Sequence, residues 1–132
     1  MKEMIYGNNK FEILDIGNYK DKDYVIISMM GCYPCAYVHS DIDYRDKYEF
    51  EGPAHGGFTF YNSLSHWKNN VELDEETKQF FSKNFIGWDY GHLGDFTYLL
   101  SFEGEKKWTT EEIFENVKEV IEWMLEKEKN NK

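Results

Sequence analysis

Arginine and proline are scarce in this sequence, and long apolar runs are missing from it. Arg45 is the one arginine, so the chain has no arginine cluster of the kind that clamps phosphates through paired hydrogen bonds. Two prolines leave no proline-rich linker that would divide the chain. No apolar stretch approaches the ~18 residues that a membrane span needs, and the first residues lack the apolar region of a signal peptide. These absences predict a cytoplasmic protein with no membrane partner.

Size and charge narrow the range of functions. The 132 residues are the usual size of one domain, so we expect a single domain over residues 1–132. The formal net charge of −10 repels phosphate backbones, and nucleic acid is therefore not expected as a partner. The acidity is interpreted as a solvated surface, with a mimic of nucleic acid that occupies a basic partner as the alternative. An acidic protein inhibitor of a host factor remains an alternative, and homo-oligomer formation stays open.

The hydrophobic pattern predicts an α+β fold. Short apolar or alternating runs with turn residues between them indicate strands at residues 11–16, 24–30, 35–38, 57–61 and 85–89. Gly17-Asn18 is interpreted as the turn after the first of these runs, and residues 74–77 either open a short helix or form a loop. We expect a mainly antiparallel sheet with a C-terminal amphipathic helix packed on one face.

The C-terminal helix has the strongest local signals. Thr109 as N-cap and Glu112 three residues later form a capping box, and Trp108 and Ile113 have the spacing of a hydrophobic staple. A broad apolar face follows at helical spacing. Its members are Ile113, Phe114, Val117, Val120, Ile121, Met124 and Leu125.

A C-x-x-C motif at Cys32 and Cys35 is the first candidate for chemistry. A redox site of the thioredoxin type would place this motif at a helix N-terminus, which lowers the thiol pKa. The residues that follow Cys35 indicate a strand instead. A zinc site with His39 lacks a second paired motif. We therefore interpret both cysteines as ordinary thiols.

Glycine, histidine and aspartate concentrate in two segments beside predicted strands. His55-Gly56-Gly57 precedes one strand, and residues 87–95 end another. Because binding sites form from loops at strand ends, we expect His55 and Asp89 to face one pocket with His92 and Asp95 at its rim. The alternative is that the glycines serve tight turns. The candidate ligand-binding residues are His55, Gly56, Gly57, Thr59, Trp88, Asp89, His92 and Asp95.

Two kinds of chemistry suit these residues. In the first, aromatic rings stack on a base and glycine amides hold phosphates. The rings would be Phe58, Phe60, Trp88 and Tyr90, and the amides those of Gly56, Gly57 and Gly91. In the second, the chain is a metal-dependent hydrolase, since Asp and His suit Zn, Mn or Fe. Its residues would be His55, Asp89, His92 and Asp95. Their spacing is not diagnostic, so no metal ligand is assigned and the cofactor stays open.

Three motifs occur in a fixed order. They are Gly-x-x-Pro-Cys-Ala-Tyr-Val at 31–38, His-Gly-Gly-x-Thr at 55–59 and Gly-x-Asp-x-x-His-x-Gly-Asp at 87–95. In this the chain resembles a family of small uncharacterised bacteriophage and prophage proteins. Tyr33 stands where the family pattern has a histidine and Tyr90 where it has a cysteine, so no role of that imidazole or thiol carries over.

The resemblance implies a phage or prophage origin and hence the host cytoplasm. Small phage accessory proteins often blunt host defence. By this analogy, we expect a protein that binds, and sequesters, a small polar or nucleotide-like ligand.

Overall fold

The computed structural model of the protein describes residues 3–6, 9–29, 33–45, 53–55, 57–64, 75–90 and 108–130. In these ranges the chain forms a six-stranded sheet and two helices. The elements in chain order are β1 (Glu3–Tyr6), β2 (Asn9–Tyr19), β3 (Lys22–Met29), β4 (Tyr33–His39), β5 (Phe60–Ser63), α1 (Glu75–Ser82), β6 (Asn84–Asp89) and α2 (Thr110–Asn130). The strand order is β1-β2-β3-β4-β6-β5, and every neighbouring pair is antiparallel. The predicted α+β fold class is confirmed.

Helix α2 begins at the predicted cap and packs on the sheet. Thr109 Oγ1 accepts the backbone N–H of Glu112 at 3.2 Å, and Glu112 Oε1 accepts the backbone N–H of Thr109 at 3.1 Å. Trp108 and Ile113 both join the core on this side, as the staple predicts. The helix contacts β2, β3 and β4 through a fully buried stripe. Its members are Ile113, Val117, Val120, Ile121 and Met124. Neither described helix is long and apolar enough to cross a membrane.

The sheet has two apolar faces because successive strand residues point to opposite sides. The helix face, which packs against α2, carries Ile26, Ala36, Ile86 and Trp88. The rear face carries Val25, Ile27, Cys35, Tyr37 and Phe85. Leu64, which follows β5, and Phe81 of α1 pack into the rear cluster. The central strands therefore have buried side chains on both sides, which explains their continuous apolar runs.

The first hairpin turns later than the sequence indicates. The predicted turn at Gly17-Asn18 is wrong, since both residues lie in β2 and pair with Tyr24 and Asp23. The chain reverses at Lys20 and Asp21, whose φ angles are 50° and 68°. Positive φ at both central residues is the conformation of the two-residue turns that match the twist of a hairpin. The pairing of β2 with β3 thus continues through Gly17 up to Tyr19.

The strand predicted at 57–61 begins only at Phe60. Gly57 has a φ of 88°, and its N–H donates to the carbonyl of Ala54 at 3.0 Å. This turn holds the glycine in a conformation that residues with a Cβ rarely adopt. Extended pairing starts after it, where the N–H of Thr59 donates to the carbonyl of Gly87 at 2.9 Å.

Candidate functional site

Three aromatic rings meet where β6 ends beside the start of α2. The imidazole of His55 lies 4.8 Å from the ring of Tyr90, with the two planes within 5° of each other. Trp108 contacts both rings, at 4.8 Å from His55 and 5.0 Å from Tyr90. Tyr90 is fully buried, whereas His55 and Trp108 are half-buried. The imidazole is therefore held at the boundary between the core and solvent. We call these three residues together with Asn116 the His55 cluster.

A buried amide ties the His55 cluster together. Asn116 Oδ1 accepts the hydroxyl of Tyr90 at 2.6 Å and the backbone N–H of His55 at 3.2 Å. Its Nδ2 donates to the carbonyl of Pro53 at 2.8 Å. The indole N–H of Trp88 donates to the Tyr90 hydroxyl at 3.1 Å, which completes the chain of bonds. Buried polar groups of this kind remain stable because each has a partner.

His55 and Asp89 lie on opposite faces of the sheet, so the predicted common pocket is wrong. Asp89 pairs with Cys35, whose side chain belongs to the rear cluster. Trp88, one residue earlier, pairs with Ala36 and belongs to the helix face, where Tyr90 stacks on His55. A one-residue step along a strand reverses the direction of the side chain. Asp89 and Tyr90 are neighbours in sequence, but the carboxylate of Asp89 points away from the face where the His55 imidazole stacks on Tyr90.

The thiol beside Asp89 is not activated. Cys35 is buried in β4, and burial, with the negative charge of Asp89 adding to it, raises the pKa of the thiol to about 12. A nucleophilic cysteine needs a lowered pKa, which a helix N-terminus or a neighbouring cation supplies. Cys35 lies within a strand, as predicted, and beside an anion. Cys32 lies outside the described residues.

Three of the four aromatic residues proposed for base stacking are core residues. Phe58, Trp88 and Tyr90 are at most 1% exposed. Phe60 is half-buried and packs edge-on against Tyr37 on the rear face, with ring centroids 5.1 Å apart. Base stacking on the three buried rings is therefore ruled out as the predicted role. His55 and Trp108, on the same side of the sheet, are half-buried.

The glycines and polar residues predicted to bind a ligand have different surroundings in the structure. The N–H of Gly57 closes the turn at Ala54, so it is not directed at a phosphate. Thr59 is exposed, and its N–H bonds to Gly87. The remaining predicted residues lie outside the described ranges: Gly56, Gly91, His92 and Asp95.

The residues proposed for the hydrolase alternative lie partly outside the described ranges. Within those ranges, no group of three metal-ligating side chains comes together. Of the four residues proposed for it, His55 and Asp89 are described, and the sheet separates them.

Asn116 was missed by the sequence prediction, although the sequence carries a signal for it. It lies three residues after Ile113 and four before Val120, so helical spacing places it on the buried stripe. A polar residue there requires partners. The sequence predicts for Trp108 only the hydrophobic staple. Its neighbours His55 and Tyr90 come from distant segments, and no sequence pattern connects them with it.

Comparison with known proteins gives the His55 cluster no counterpart. The chain matches no family model, no curated protein and no solved structure. We therefore infer function from the arrangement of this cluster and from the motifs of the sequence.

Proposed function

We propose that the protein is a phage-type accessory protein that binds, and sequesters, a small polar or nucleotide-like ligand, with His55 as a principal contact. The observation that carries the proposal is the half-buried imidazole stacked on the buried ring of Tyr90. Its backbone is already anchored to α2 through Asn116. A contact group that is ordered before binding loses little conformational freedom on binding, which favours affinity.

The chemistry of the half-buried imidazole suits a flat ligand with polar atoms. An imidazole offers a donor and an acceptor in one plane. The half-buried indole of Trp108 adds an aromatic surface 4.8 Å away, inclined at 60° to the imidazole. Stacking of a base on an aromatic side chain contributes about 1–3 kcal/mol. The role in blunting host defence is supported only by the resemblance of the motifs to phage proteins.

A nucleotide library with mass spectrometry tests this function. The purified protein is incubated with the library, and the bound and free fractions are both examined. We expect the wild type to release an intact ligand on heating and the His55→Ala variant to release none. His39→Ala is the matched control, because His39 is a second half-buried histidine, in β4.

The other outcomes separate the alternatives. Chemically converted ligand in the free fraction would make the protein an enzyme. Equal retention by wild type and His55→Ala would move the site elsewhere. If no compound is retained or converted, the acidic inhibitor remains. Besides the net charge of −10, the exposed positions of α2 from 111 to 126 support it, since all are glutamates: Glu111, Glu115, Glu119, Glu122 and Glu126.

A further inference from the structure

Asn116 is the one buried polar side chain on the inner stripe of α2 in the part of the chain that the structure describes. Three of its contacts reach outside the helix, to Pro53, His55 and Tyr90. We propose that Asn116 is the positioning residue of the ligand site, which sets the place of the His55 imidazole without touching the ligand. This inference rests on the proposed function of His55.

The amide of Asn116 has its orientation fixed by its partners. A carbonyl can only accept, so the bond to the oxygen of Pro53 requires the NH₂ group of the amide. The hydroxyl of Tyr90 and the N–H of His55 then both meet the amide oxygen, which has two lone pairs for them. A flipped amide would face two mismatched contacts. The side chain is thus held in one arrangement by three separate partners.

This one side chain fixes both the backbone and the stacking surface of His55. The bonds to Pro53 and His55 hold the backbone on either side of Ala54, which is itself buried. The bond to the hydroxyl of Tyr90 holds the ring on which the imidazole lies. A shift of Asn116 would therefore move the support and the imidazole together.

Packing alone does not explain a polar residue here. Where buried partners are all replaced by apolar groups, the cost to stability is often small. An apolar residue in the stripe, such as Val117 or Val120, already fills the space against the sheet without any polar partner. The amide fixes the position of residues 53–55, which belong to no helix or strand.

Proton NMR of the imidazole tests the proposal. Stacking on Tyr90 should shift the His55 ring C–H signals upfield of those of an exposed histidine. In Asn116→Leu, which keeps the number and branching of the side-chain heavy atoms but removes the amide, we expect these signals to move towards the exposed values while amide signals of β3 and β4 stay in place. Val120→Ala is the control, because it removes packing one turn further along the same stripe. It should lower stability and leave the His55 signals unchanged.

A second measurement applies even where Asn116→Leu does not fold. The His55 amide hydrogen of the wild type should exchange with solvent as slowly as amides inside α2, since it is bonded to Asn116. Fast exchange of this amide, or unmoved His55 signals in a folded Asn116→Leu variant, would overturn the proposal. A failed ligand screen would overturn the proposed function and leave this result standing.

Discussion

The backbone of Gly87 lies directly against the ring of Tyr37. The two residues pair across β4 and β6, and a Cβ atom on Gly87 would be 2.4 Å from Cδ1 of that ring. Tyr37 is 5% exposed and is also packed edge-on by Phe60. This glycine, at the head of a motif interpreted as a ligand loop, serves the packing of the rear face instead.

Gly87→Ala should therefore destabilise the fold. The methyl group would overlap a ring that has little room to move, and overpacking of this kind costs about 1–3 kcal/mol of unfolding free energy. Urea denaturation measures the loss. In a Tyr37→Val background the ring is gone, so the same glycine substitution should cost much less. Equal costs in the two backgrounds would show that the contact does not restrain the sheet.

Val117→Asp tests the packing of α2. Val117 is fully buried against the helix face, so the aspartate would place a charge there without a designed partner. We expect a loss of several kcal/mol, enough to unfold a domain of ordinary stability. Glu119→Ala, at an exposed position of the same helix, should stay within about 0.5 kcal/mol of the wild type. Cooperative thermal unfolding of Val117→Asp near the wild-type temperature would contradict the packing described above.

Local signals in the sequence predict the helix and most strands, because they depend on neighbouring residues. Thr109 and Glu112 are three residues apart and satisfy each other, whatever the rest of the chain does. The run that becomes β3 is almost continuously apolar, and this composition alone indicates a buried strand. The sequence does not indicate the hairpin turn at Lys20 and Asp21, because neither residue is a glycine. Gly17-Asn18 has the residue types of a turn but lies in β2.

The candidate site was predicted less well because it depends on register and on distant contacts. One step of strand register decides that Asp89 turns away from His55. The contact between His55 and Asn116 joins residues 61 positions apart. The His-Gly-Gly motif predicts a site at His55, but no local pattern pairs this residue with Trp108 or with the Asn116 amide.

Thr109→Ala tests the capping box. It removes the oxygen that accepts the backbone N–H of Glu112, and such a loss costs about 0.5–2 kcal/mol. Thr109→Ser keeps that oxygen and should retain nearly all of the stability. Thermal unfolding of the three proteins gives the comparison. An alanine variant as stable as the serine variant would mean that the cap contributes nothing to the fold.

Cys35 should make the fold sensitive to alkaline pH. Burial, with the nearby charge of Asp89, raises the pKa of its thiol from an ordinary value of 9.0 to about 12. Well below pH 9 the thiol is protonated in both the folded and the unfolded chain, so its contribution is constant. Between pH 9 and 12 the unfolded chain releases the proton while the folded chain retains it, and stability falls.

A buried tyrosine acts in the same direction, so the comparison must isolate the thiol. Burial, together with a 3.0 Å hydrogen bond to Asp15, raises the pKa of Tyr24 from 10.0 to about 12. We therefore compare Cys35→Ala with its parent in a Cys32→Ala background, where Tyr24 is present in both proteins. Urea denaturation between pH 8 and pH 10.5 should show a shallower decline of stability in Cys35→Ala. Parallel declines would mean that the Cys35 thiol ionises as readily in the folded protein as in the unfolded chain, and that the rear face admits water to it.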